Sequence, residues 1–167
     1  EEGMYDRFGE FDSAEEMNET AVNLRKEGDR EGLEALAREN GIDGETLGLF
    51  LSGDLLYLCD GMSAAIGKIE VEAEAAGCEE IMADWVEYIK QQCFEKPQMA
   101  AAVRRKGKSL KGCIAELLKW GFGHQKPVDG GIMKAAGVTA GRCTLGIPGM
   151  ARAKRIITQY YTGGDGR

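Results

Sequence analysis

The chain has 167 residues, 43% of them hydrophobic, and a formal net charge of −7. That suffices for one sizeable core or two small subdomains, and no apolar run approaches the ~20 residues of a membrane-spanning helix. Five cysteines (Cys59, Cys78, Cys93, Cys113, Cys143) form no C-x-x-C pair, and the single His124 completes no zinc set at usual spacing, so the pattern reads as reduced, mostly buried thiols in a cytoplasm and not as a secreted disulfide scaffold or a metal site.

The opening Glu1-Glu2-Gly3-Met4 lacks the charged-then-apolar pattern of a secretory leader, and Met4 reads as a natural first residue behind a short remnant. Ser13 with Glu16 forms a capping box for a helix carrying Met17, Ala21 and Leu24 inward and stopping at Gly28. Asp29 caps a second helix with Leu33, Leu36 and Ala37 on its apolar face, closed by Gly41. Asp43 starts a third, with Leu47, Phe50 and Leu51 inward and Gly53 after it. Residues 54–77 read as helical with an interruption at Gly61, and a stronger helix runs from Glu79 to Phe94 with Ile81, Trp85, Tyr88 and Ile89 on one face. The pairs Glu15-Glu16 and Glu79-Glu80 fall in expected first turns, where they complement the helix dipole.

Pro97 suits the first turn of a short helix through Met99 and Val103. Ser109 caps the next, whose stripe is Leu110, Cys113, Ile114, Leu117 and Leu118. Trp85, Tyr88 and Trp120 lie on or beside apolar helix faces, so packing is favoured over base stacking. No stretch alternates with period two for long enough to be a strand. The expected fold is all-α, a compact bundle of about eight or nine short helices.

Charge is divided unevenly along this chain. Residues 1–96 carry 8 Lys and Arg against 25 Asp and Glu, a net −17, whereas residues 97–167 carry 13 against 3, a net +10. The composition predicts an acidic helical subdomain over 1–96 and a basic one over 97–167, or one continuous domain with two charged faces. A lopsided basic segment suits an anionic partner, most often nucleic acid; two well-solvated faces are the alternative.

Two stretches sharpen the basic end. Arg104, Arg105, Lys106, Lys108 and Lys111 cluster before a helix N-terminus, where cations oppose the dipole and an external phosphate or carboxylate would relieve them; a solvated loop is the alternative. Residues 132–139, with Lys134 in the first helix, resemble the turn of a helix-turn-helix, in which Thr139 would cap a short second helix exposing Arg142. Residues 146–157 are similar to the hairpin of helix-hairpin-helix proteins: Gly149 permits close approach of a phosphate, and Arg152, Lys154 and Arg155 follow in the first turns. Pro148 departs from that pattern, and a purely structural turn between packed helices is the alternative. Binding through these residues would be to phosphate, sequence-tolerant and salt-sensitive.

The sequence offers no Walker loop, nucleophile elbow or H-E-x-x-H motif. His124 stands at a helix end, where it partners the C-terminal dipole, and Gly163-Gly164-Asp165-Gly166 reads as a loose tail. No catalytic residue, metal or cofactor is expected.

Several phrases occur together: Glu10-Phe11-Asp12-Ser13-Ala14-Glu15-Glu16-Met17-Asn18-Glu19, Ala37-Arg38-Glu39-Asn40-Gly41-Ile42-Asp43 and Leu58-Cys59-Asp60. Asp84-Trp85-Val86-Glu87-Tyr88, Ser109-Leu110-Lys111-Gly112-Cys113-Ile114 and Arg142-Cys143-Thr144-Leu145-Gly146-Ile147-Pro148-Gly149 follow. Together they resemble a group of small proteins from phages and mobile elements of gut bacteria that includes an anti-CRISPR inhibitor of the type II RNA-guided DNA nuclease. The resemblance runs from about Phe8 to Tyr161. It implies a stoichiometric, non-enzymatic inhibitor in the bacterial cytoplasm that binds the guide-loaded nuclease, with double-stranded DNA as an additional contact. The other reading of the same basic end is a small DNA-binding module of a phage or conjugative element.

Overall fold

The computed structural model describes residues 4–163. Glu1 to Gly3 and Gly164 to Arg167, including most of the glycine-rich tail, lie outside the described residues. Among the described residues are nine helices: α1 (Ala14–Lys26), α2 (Arg30–Glu39), α3 (Gly44–Ser52), α4 (Gly61–Ala76), α5 (Ile81–Glu95), α6 (Pro97–Arg104), α7 (Leu110–Gly123), α8 (Gly130–Ala135) and α9 (Met150–Thr162). Two two-residue strands, β1 (Lys126–Pro127) and β2 (Thr144–Leu145), complete the elements. The fold is all-α, as the periodicity predicts. No helix among the described residues is long and apolar enough to cross a membrane.

The first four helices start the same way. Ser13 Oγ accepts the Glu16 N–H at 3.1 Å, Asp29 Oδ1 that of Gly32 at 2.8 Å, Asp43 Oδ1 that of Thr46 at 2.7 Å and Asp60 Oδ1 that of Ser63 at 2.7 Å. Each satisfies an amide that the helix itself leaves unpaired. Glu16 closes its box one residue early, accepting from the Asp12 N–H at 3.1 Å.

The chain divides into two units, Glu1–Lys111 and Gly112–Arg167. This division does not follow the charge boundary near Pro97, because α6 packs on α4 and α5 and belongs with them. In the first unit Met17, Ala21, Leu33, Leu36, Phe50, Leu58 and Ala64 form a buried cluster contributed by α1 to α4 and the segment before α4. The α2–α3 turn meets α4 backbone to backbone. A Cβ on Gly67 would overlap the Asn40 carbonyl oxygen, and one on Gly41 (φ +67°) would overlap that of Gly67.

Two expectations fail in this unit. Residues 54–60 are not helical. Asn18 on α1 takes the N–H groups of Leu58 and Cys59 (both 3.0 Å) and gives its own to the Cys59 carbonyl (2.8 Å). Arg25 donates to the carbonyls of Phe50 and Leu55 at 2.9 and 3.0 Å. Side chains thus supply the bonds a helix would have made, and Asp60 restarts the helix after them. Second, α5 begins at Ile81, so Glu79 and Glu80 precede its first turn; Glu80 sits at φ +54° with no side-chain cap bond, and Ile81 is exposed.

In the second unit β1 and β2 pair antiparallel, Lys126 opposite Leu145 and Pro127 opposite Thr144. The Val128 N–H extends the ladder to the Cys143 carbonyl at 2.8 Å. α9 buries Ala153, Ile157 and Tyr161, one per turn. Near the α7 C-terminus a Cβ on Gly121 would overlap the Gly146 carbonyl oxygen, which brings the segment before α9 into backbone contact with α7.

Candidate nucleic-acid interface

The basic loop before α7 is built on a buried polar centre within the first unit. Lys68 on α4 is wholly buried, and its Nζ donates to Glu10 Oε1 at 2.8 Å and to the carbonyls of Arg105 and Lys108 at 3.0 and 2.6 Å. The Lys106 N–H donates to Asp12 Oδ1 at 2.9 Å. Glu72, one turn along α4, accepts the N–H of Leu110, the first residue of α7, at 2.9 Å. Burial pulls the Lys68 ammonium down from its ordinary pKa, opposed by the bond to Glu10, and pushes the Glu72 carboxyl up.

Arg104 belongs to this centre and leaves the set of surface cations that its sequence neighbourhood suggests. It is 1% exposed; its Nε donates to the Phe11 carbonyl at 3.1 Å, and its guanidinium lies 5.9 Å from the Tyr5 ring. Both terminal nitrogens are buried without a hydrogen-bond partner, and burial pulls the group below its ordinary pKa. Arg104 therefore offers nothing to a phosphate outside. Arg105, Lys106 and Lys111 are exposed and Lys108 is half-buried, presented by a backbone that Lys68 and Asp12 hold in place.

The other candidates stand in the second unit. The helix-turn-helix reading fails there: α8 forms and Gly137 turns the chain at φ +68°, but no helix follows Thr139. The chain is drawn instead into the β1–β2 ladder, where the Thr144 hydroxyl donates to Gln125 Oε1 at 2.7 Å. Arg142 thus lies on an exposed loop and not on a recognition helix. Arg142 and Lys134 line one cleft, of about 580 Å³, between α8 and the loop that follows it.

The hairpin-like stretch divides by role. Gly146 is required for packing, because a Cβ there would overlap the Gly121 carbonyl and the Gln125 side chain. Gly149 has ordinary extended φ and open space beside it, and caps α9 without a side-chain bond. Arg152, Lys154 and Arg155 are all exposed on the first turns of α9, whose first turn contains no acidic residue. The Arg152 guanidinium lies 5.6 Å from the Trp120 ring, and His124 stacks on that ring at 4.1 Å and 5°. His124 Nδ1 is 2.7 Å from the Trp120 carbonyl, to which it donates, as a residue at a helix C-terminus should. Trp85 is buried as expected, whereas Trp120 is half-buried and Leu118 is 59% exposed, outside the stripe assigned to α7.

Residues 112–163 hold seven Lys and Arg against two carboxylates, and both carboxylates are engaged locally. Glu116 pairs with Lys119 at 2.9 Å, and Asp129 accepts the Gly131 N–H at the start of α8. Sequence reasoning missed the apolar component of this unit: Leu118, Phe122, Ile132, Leu145 and Ile147 are each more than half exposed. Among the described residues no group of three or more His, Cys, Asp or Glu side chains could hold a metal ion. Comparisons with known protein families, curated proteins and solved structures find no match for this chain.

Proposed function

We propose that this chain is a non-enzymatic inhibitor that binds the type II RNA-guided nuclease in its guide-loaded form and impairs target-DNA engagement or cleavage. The resemblance of its sequence phrases to the anti-CRISPR family motivates the reading. One observation carries it beyond a generic DNA binder. In the second unit, Phe122 at 75% exposure and Leu145 at 62% share the surface with a large excess of cations. A duplex backbone rewards the cations but leaves such apolar side chains wet. A protein carrying bound nucleic acid rewards both. The acidic first unit suits the basic protein surfaces that line the nuclease's nucleic-acid channels. Such a partner places the inhibitor in the bacterial cytoplasm.

The test is a cleavage assay with guide-loaded nuclease on linear duplex, titrated with the chain. Inhibition that saturates near equimolar protein is expected; full cleavage in molar excess would reject the reading.

A second reading, a small sequence-tolerant DNA-binding module, is favoured by α9 alone, with its uncapped N-terminus and exposed Arg152 and Arg155. It predicts a salt-sensitive gel shift of free duplex that charge reversal at Arg152, Lys154 and Arg155 abolishes, with no effect on the nuclease.

A further inference from the structure

The cleft that joins Lys134 to Arg142 has features that a generic cationic surface lacks. Its volume of about 580 Å³ falls within the small-ligand range of roughly 300–1,000 Å³. None of its lining residues is acidic. The nearest carboxylate in sequence, Asp129, is turned to the start of α8. Along the far wall, among the described residues, the amides of Thr139, Ala140, Gly141 and Arg142 donate to no group of the protein. A stretch of loop backbone with unspent donors, a threonine and two cationic residues thus border one concavity. Met133 is half-buried there and Val138 is 48% exposed, which supplies an apolar patch beside the donors.

We propose that this cleft binds an unpaired nucleotide of a nucleic-acid strand, with the phosphate held by Lys134, Arg142 and the loop amides and the base against Met133 and Val138. A duplex presents its phosphates on convex ridges with the base faces stacked away, so it reaches the cations but not the patch. An unpaired base brings a π-face, which the Met133 thioether suits. A strand is favoured over a free nucleotide because the basic excess of the unit extends beyond the cleft, to α9. The inference rests on reading this unit as a nucleic-acid-facing surface, but the nuclease takes no part in its test.

The experiment is fluorescence anisotropy on the full chain with labelled oligothymidylate, oligouridylate and a duplex of equal length, across a salt series. Unlabelled AMP serves as competitor. Single strands are expected to bind more tightly than duplex. Because both cations are exposed, the double variant Lys134→Ala/Arg142→Ala keeps the fold. It is expected to lower single-strand affinity about tenfold and to flatten the salt slope by about 1.4, two contacts at ~0.7 each. Val138→Ser is expected to weaken binding with the slope unchanged. Preference for duplex, or a double variant that binds like the wild type, overturns the proposal. So does an absence of binding at low salt, or displacement by AMP at concentrations comparable to the strand. Each of these results leaves the inhibitor reading in place, because the cleavage assay tests it separately.

Discussion

Lys68 and Glu10 form an ion pair, Nζ to Oε1 at 2.8 Å, in which the lysine side chain has no exposure to water. The ammonium has three protons and three acceptors, Glu10 and the carbonyls of Arg105 and Lys108. One side chain of α4 thereby ties the segment before α1 to the basic loop before α7. A surface lysine could not fix that loop. A buried one must, because each unmade bond would leave a polar group dry.

Replacing Lys68 by Met is therefore expected to cost about 3–5 kcal/mol in urea denaturation, the range for breaking a buried pair from one side. Glu10→Gln keeps an acceptor and should cost about 1–2 kcal/mol. Lys68→Arg should not rescue, since a planar fork cannot serve three acceptors arranged around one ammonium. Equal stability of Lys68→Met and wild type would show that the centre contributes nothing.

The three buried thiols give the chain an alkaline limit. Burial pushes Cys59 up to about 11 and Cys93 and Cys113 up to about 12, from an ordinary 9.0. The folded state then holds protons that the unfolded state has released. Stability is accordingly flat below pH 9 on this account and falls as pH rises from 9 towards 12, by several kcal/mol in order of magnitude. Denaturation midpoints across that range check the slope. At pH 8 a thiol reagent should modify the half-buried Cys78 and Cys143 first and the other three only at the rate of unfolding. Uniform reactivity of all five would contradict this burial.

Much of the fold was legible because it is written in local chemistry. Ser13, Asp29 and Asp43 announce helices through bonds that span three residues, and Gly28, Gly41 and Gly53 mark the left-handed turns that follow (φ +73°, +67° and +88°). What sequence could not show was decided by partners far along the chain. The 54–60 segment is irregular because Asn18 and Arg25, some 30 to 41 residues away, take up its backbone. Arg104 reads like its four cationic neighbours, yet the Phe11 carbonyl, 93 residues away, and the Tyr5 ring draw it inside. The helix expected after Thr139 lost to a ladder with residues 126–128. Lys134 and Arg142 read in sequence as parts of one helix-turn-helix, whereas the structure, with a turn at Gly137 and no helix after Thr139, sets them along one cleft.

Gly121 and Gly146 are expected to tolerate no side chain. Alanine at either would force a Cβ into a backbone carbonyl, neither of which can swing away as a side chain would. A cost of about 1–3 kcal/mol is expected for each, by analogy with overpacked cores. Gly149→Ala meets open space at an ordinary φ and should cost under about 1 kcal/mol, the penalty of a poor N-cap. Thermal melts of the three variants side by side test the ranking. If Gly149→Ala were the most damaging, the assignment of Gly146 to packing and Gly149 to surface would be reversed.

Glu80 holds the opposite lesson, a side chain where the backbone asks for glycine. At φ +54° and ψ −125° it sits in a region that residues with a Cβ rarely occupy, and its exposed side chain caps nothing. Relief of such strain is worth about 1–3 kcal/mol, against roughly 0.5–1 kcal/mol for the added freedom of glycine in the unfolded chain. Glu80→Gly is therefore expected to stabilise the chain by about 1 kcal/mol, read as a higher urea midpoint at unchanged slope. Glu80→Ala retains the Cβ and should gain nothing. If both variants gained equally, removal of a negative charge beside Glu79 and not backbone relief would be the cause.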